Sequence, residues 1–185
     1  TTAYVDLGEV IGPNCGLAPS PCNNTPDIGY SGTGTSTNTT ISYPAPYGNF
    51  YWGAKHQILY TAAELQALGM TNGGKISSLA FDVASTNSSP ALVNYTIKMG
   101  CTSSSDLSSA WETGLTTVFG PTTHTPTTGW NVHNFTTPYN WDGTSNLVVE
   151  ICFNNSSFNS NASTTYSTTP FTSVRYFRQD ASGVC

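Results

Sequence analysis

The chain has 185 residues, enough for one domain with a substantial core, yet only 8% of them are charged. Five basic and ten acidic side chains leave a net charge of -5. This argues against nucleic acid as a partner, because little would neutralise its phosphates. No apolar run approaches the ~18 residues that a membrane-spanning helix needs, so membrane insertion is not expected. Aromatic residues make up 12% of the chain, too many for a disordered linker. The polar groups are mostly those of Thr, Ser and Asn, a composition common in extracellular β-proteins.

Residues 1–27 read as an N-terminal arm or linker. Tyr4, Val5, Leu7, Val10 and Ile11 have strand character. Pro13, Pro19 and Pro21 then make a loop that cannot enter a central strand. Cys15 and Cys22 could close that loop with a local disulfide or pair elsewhere. The arm could also add an edge strand to a neighbouring copy. Residues 28–185 read as the folded domain, and residues 28–43 as one or two weak edge strands ended by Pro44 and Pro46.

The organising stretch is 47–84. Tyr47, Phe50, Tyr51 and Trp52 lead into the apolar run Ile58, Leu59 and Tyr60. Thr61 followed by Glu64 is a capping box, Ala62 to Leu68 are good helix formers, and Gly69 is placed at C′. About two turns of helix would not stand alone. From Ile76 to Val83 the pattern alternates, with Leu79, Phe81 and Val83 on one face. Further strands are expected at 91–101, 115–119 and 130–136, with a tight turn at Trp141-Asp142-Gly143. The most apolar run, Asn146 to Phe153, is expected at a sheet centre. A final strand pair is expected at 164–167 and 174–178. Short strands with regular turn signals predict an all-β, jelly-roll-like antiparallel β-sandwich with one short helix.

Five cysteines point to an oxidising compartment, and they show no CxxC or other metal spacing. Cys101 and Cys152 both sit near strand ends, so a bridge between them is expected. Cys185, the last residue, is then the candidate for a link to a neighbouring module. No signal peptide is visible, which suggests one already removed or a module cut from a longer chain. Asn-x-Ser/Thr sequons stand at Asn23, Asn38, Asn87, Asn94, Asn134, Asn154, Asn155 and Asn161. In a chain this rich in Asn, Ser and Thr, many arise by chance.

No catalytic constellation stands out, and an enzyme is not expected. Glu150 and Asp82 share an outward strand phase and could face each other as paired carboxylates, but a strand-surface role is the better reading. The three histidines are scattered, and no GxSxG is present. Exposed aromatics are the sharper signal, since they stack on sugar faces. Tyr51, Trp52 and Trp141 are the ligand-binding candidates, with a structural role as core or loop anchors as the alternative. A structural calcium on Asp142 and Asn140, or on Asp82 with Asn87, is a weaker possibility; no other cofactor is expected.

Several stretches carry a resemblance: HQILYTAAELQALGM, then ISSLAFDV, then GWNVHNFTTPYNWDGTSNLVVEICFNN, then FTSVRYFRQDASGVC. In this order they resemble a module that recurs in large secreted and cell-surface proteins of the Bacteroidota, commonly exported by the type IX route. The resemblance spans roughly residues 30 to 185. It implies an extracellular or cell-surface β-sandwich in an adhesin-like or filament-forming protein, and it carries no catalytic residues. The reading is therefore a non-catalytic structural or adhesive module whose partners are neighbouring modules or copies of itself. A carbohydrate-binding module with glycan partners is the alternative.

Overall fold

The computed structural model describes residues 3–6, 28–32, 36–38 and 46–185. In chain order its elements are β1 (Ala3–Asp6), β2 (Ile28–Ser31), β3 (Ser36–Thr37), β4 (Gly53–Tyr60), α1 (Ala62–Ala67), β5 (Gly74–Ser85), β6 (Leu92–Thr102), β7 (Thr116–His124), β8 (Gly129–Trp141), β9 (Asn146–Asn154), β10 (Ser163–Tyr166) and β11 (Val174–Gln179). Two antiparallel sheets face each other. One runs β11-β4-β9-β6-β7; in the other, β5 pairs with β8 on one edge and with β1 and β10 on the other, while β2 and β3 lie outermost. From β4 onward every connection except β6–β7 passes from one sheet to the other, which gives the jelly-roll-like wrap.

Alternation explains why these strands make a core. In β9, Leu147, Val149, Ile151 and Phe153 point inward; in β6, Tyr95, Ile97 and Met99 do; in β4, Ala54, Ile58 and Tyr60 do. They meet Leu79, Phe81 and Val83 of β5 and Trp141 of β8 in one continuous cluster. Each fully buried Leu, Ile or Phe contributes about 1.5–3 kcal/mol. The helix forms as its sequence dictates. Thr61 is the N-cap, and Thr61 and Glu64 complete the capping box, with Thr61 N donating to Glu64 Oε2 at 2.7 Å. Gly69 follows the C-cap Leu68 with φ +106°, a conformation that suits glycine. A cap is worth about 1 kcal/mol. Burial of Leu65 therefore does more to hold this six-residue helix than its cap does.

The outward side of the β11-β4-β9-β6-β7 sheet is also largely covered. Leu59 and Val148 form a small second core with Leu107, against which Leu115 and Phe171 pack. Beside it Glu150 is buried; its Oε1 receives Lys98 Nζ at 2.9 Å and its Oε2 receives Gln57 Nε2 at 2.8 Å. Gln57 in turn ties the 103–115 loop to the sheet, because its Oε1 accepts from Glu112 N at 2.8 Å. Asp82 lies on the outward side of the other sheet, across the sandwich. Glu150 and Asp82 are therefore not a catalytic pair.

Three expectations are corrected. The strand pair 164–167 with 174–178 does not form: β10 joins β5 and β3, and β11 joins β4 in the opposite sheet. Cys101 does not bridge Cys152. The antiparallel β6–β9 register pairs Cys101 with Leu147 and Thr96 with Cys152. Two strands that each end in cysteine therefore place them at opposite ends of the ladder, about 17 Å apart at ~3.4 Å per residue. Cys152 instead bonds Cys185, with Cα atoms 5.3 Å apart, so Cys185 is not a free link to another module. Gly53 makes room for this: a Cβ there would lie 2.6 Å from Cγ2 of Val184, the residue that lays the terminal turn on the sheet. Cys15 and Cys22 lie outside the described residues. Of the arm, Ala3–Asp6 enters the sheet as β1, between β2 and β5.

A disulfide that closes 33 residues stabilises a domain of this size by about 2–4 kcal/mol. Cys185→Ser should lower the unfolding free energy by about that amount in urea titrations, whereas Cys101→Ser should change it by less than ~0.5 kcal/mol. Equal effects of the two substitutions would contradict the observed pairing.

Candidate functional site

The site with the most exposed aromatic surface grows from two strands and two loops. β11 reads VRYFRQ, with rings and cations on both faces, and as an edge strand it can bury only part of them. Tyr176 and Arg178 take the inward phase at the sheet edge; Arg175 and Phe177 take the outward phase, opposite Gln57 and Lys55 of β4. The loop before β4 brings Phe50 and Tyr51 alongside. Phe50 lies 5.5 Å from Tyr51 edge-on and 6.3 Å from Phe158. Arg178 is set between two rings, with Cζ 4.8 Å from Tyr51 and 5.1 Å from Tyr176. The result is a rim, Phe158–Phe50–Tyr51–Arg178–Tyr176, along the β11 edge. Phe158 is 61% exposed and Phe177 is 46% exposed.

The other face of the same β4–β11 ribbon holds a second cation–ring group. Lys55 Nζ stands 4.3 Å from the Trp111 ring centre and Arg175 Cζ 5.5 Å from it. Arg175 is further fixed by donating to the carbonyls of Leu107 and Ser108 at 3.0 and 2.9 Å. Three of the chain's five cations, Lys55, Arg175 and Arg178, thus belong to one two-stranded ribbon and rest on rings. Hydrogen bonding to the Tyr51 hydroxyl, and then to that of Tyr176, pushes the Arg178 pKa still higher.

The sequence candidates divide. Tyr51 belongs to the rim. Trp52 is half-buried beside it, its amide donating to Asp180 Oδ1 at 3.3 Å and its carbonyl accepting from Asn155 N at 2.7 Å. Trp141 does not present a surface: it is 3% exposed, in the core, with Nε1 donating to the Ser145 carbonyl at 2.8 Å. It keeps the inward phase of His133 along β8, which its place beside a Gly-containing turn did not reveal. Asp142 serves that turn. Its Oδ1 accepts from the Thr144 and Ser145 amides at 2.9 and 2.8 Å, and its Oδ2 from Ser145 Oγ at 2.6 Å. These bonds, those from Ser145 foremost, hold its carboxyl down at about 2. Asn140 is exposed opposite Lys75. Among the described residues no three His, Cys, Asp or Glu side chains converge as a metal set. Arg178, Tyr176, Phe177 and Phe158 were not singled out in the sequence. Their signal was the Arg-Tyr-Phe-Arg run, too aromatic on both phases for a half-buried strand.

A second group of chemically interesting side chains is interior. Tyr47, Tyr95, His124 and His133 stack at one end of the sandwich, with Phe81 and Phe119 against them. The Tyr47 hydroxyl bonds His133 Nε2 at 2.7 Å, and the two imidazoles lie 4.6 Å apart. Among the described residues, His133 Nδ1 and His124 Nε2 are buried without a hydrogen-bond partner. Burial first, and the neighbouring His124 second, lowers His133 to about 3; burial also lowers His124, and it lowers His56 on β4 to about 3. No carboxylate is among these ring contacts. The cluster reads as a neutral clamp between the sheets.

No family model matches the chain, and neither a curated protein nor a solved structure matches it. No helix among the described residues is long and apolar enough to cross a membrane.

A histidine buried neutral contributes stability that is complete above its unfolded pKa and is lost as pH falls toward the folded value. Stability should therefore be level above pH ~6.5 and fall steadily toward pH ~3, beginning well above the carboxylate range. His133→Phe should flatten the slope between pH ~6.5 and ~4. Melting temperatures that follow the same pH slope in both proteins would contradict a charge-free clamp.

Proposed function

We propose that this chain is a non-catalytic, extracellular structural or adhesive module, of the kind its sequence resembles, and that it adheres through the β11 rim. The observation that carries this reading is the series Phe158–Phe50–Tyr51–Arg178–Tyr176 with Phe177 beside it, in which Phe158, Tyr176 and Phe177 are exposed and Phe50, Tyr51 and Arg178 half-buried. Rings left in water on an edge strand have a cost that burial against a partner would relieve. The Cys152–Cys185 disulfide and the predominance of Thr, Ser and Asn over charged side chains support an oxidising, extracellular setting. Partners for assembly would be neighbouring modules or further copies. β1 pairs on both sides within its sheet, a place that another copy's strand could also fill, so assembly through the arm stays part of the proposal. The second reading, a carbohydrate-binding module, draws on the same rim, since rings beside a polar group suit sugar recognition.

Beads displaying the protein should be retained under flow on at least one of a panel of polysaccharide-, glycoprotein- and protein-coated surfaces. The double substitution Phe158→Ser with Phe177→Ser should cut that retention several-fold with the melting temperature unchanged. Retention on no surface, or retention indifferent to the double substitution, would overturn adhesion through the rim.

A further inference from the structure

We infer that the rim takes a carboxylate-bearing polysaccharide, with Arg178 as the group that grips the carboxylate; this deepens the adhesive reading above and rests on it. Arg178 is held between the Tyr51 and Tyr176 rings, and its Nε is buried without a hydrogen-bond acceptor. Among the described residues the ion pair present is Lys98–Glu150, and no described carboxylate pairs with Arg178. Asp180, the nearest acid in sequence, is engaged by the Trp52 amide through Oδ1. The other acids near the ribbon are also engaged: Glu150 by Lys98 and Gln57, Glu112 by Ser104 Oγ, and Asp106 by Ser108. A guanidinium is a planar fork whose best partner is a carboxylate or similar anion bound through two parallel bonds. Here the fork is oriented by Tyr51 and Tyr176, and among the described residues it has no carboxylate partner.

The flanking surface favours a sugar polymer over other anions. On one side of Arg178 the rings of Tyr51, Phe50 and Phe158 continue the rim, giving a ligand apolar faces beyond its charged group. That combination suits a chain of sugar rings, each with an apolar face, polar hydroxyls and a single carboxylate. Duplex DNA or an anionic membrane fits poorly, because each calls for a broad cationic face, whereas the rim offers one guanidinium set among rings. Lys55 and Arg175 on Trp111 add positive charge on the far side of the same ribbon.

The test uses the whole chain at low ionic strength and three polymers: polygalacturonate, its methyl ester and dextran. Titration calorimetry should show binding to polygalacturonate that falls about tenfold or more when the carboxylates are esterified, with dextran weaker still. Arg178→Gln should produce a loss of similar size, and Lys75→Gln, at an exposed position of β5, should leave binding unchanged. If Arg178→Gln lowers the melting temperature, Tyr176→Ser takes its place and should weaken binding several-fold. Absence of binding to polygalacturonate, equal binding to its ester, an equal loss from Lys75→Gln, or equal binding to duplex DNA would each overturn the inference. Any of these results together with retained bead adhesion would overturn the ligand class and leave the adhesive reading standing. With bead adhesion also absent, both fall.

Discussion

The constraint on which this structure depends is the commitment of one face of β4, β9 and β6 to the core between the sheets. Ile58, Ile97, Met99, Val149 and Ile151 must point inward together, and a slip of one residue would turn them all to the other side. Once that phase is fixed, the outward side chains of the same strands have to be accommodated as well. Glu150 is met by Lys98 and Gln57, Leu59 and Val148 are covered by Leu107, and Cys152 is joined to Cys185. The 103–115 loop and the terminal turn are therefore parts of the fold. Among the described residues the β11 edge leaves Tyr176 and Phe177 exposed, and three of the five cations lie on the β4–β11 ribbon.

The elements with strong local chemistry were legible in the sequence. Thr61, Glu64 and Gly69 announced the helix within a residue of its observed ends, and the Leu79-Phe81-Val83 alternation announced the inward face of β5. β9 was recognisable as central because its apolar residues continue on both phases. What failed needed non-local knowledge. The Cys101–Cys152 expectation ignored strand direction: strands that are antiparallel neighbours put their C-terminal ends at opposite sides. β10 and β11 look like a hairpin in sequence, yet the 167–173 connection crosses from one sheet to the other.

The site was half legible for a related reason. Aromatic residues beside glycine-containing turns look exposed, and Tyr51 does lie on the rim. Trp141 has the same local surroundings but the inward strand phase, and phase decided its place. Position within the sheet also matters. The same alternation that buries both faces of β9 leaves Tyr176 and Phe177 exposed, because among the described strands none pairs beyond β11. Sequence shows phase readily and edge position poorly. The histidines illustrate the same limit: His124 on β7 and His133 on β8 belong to opposite sheets, and only the packing of the two sheets brings them to a common ring stack with Tyr47 and Tyr95.

The central claim is that the β11 rim is the working surface and that Arg178 is its anchor. The most direct measurement is a nuclear magnetic resonance titration of the isotopically labelled protein with oligogalacturonate. The account expects amide and side-chain shifts confined to Tyr51, Arg178 and the rest of β11, with the Arg178 Nε–H resonance moving most. Shifts centred on the exposed Trp130 and Val132 of the opposite sheet, or no shifts at all, would contradict it.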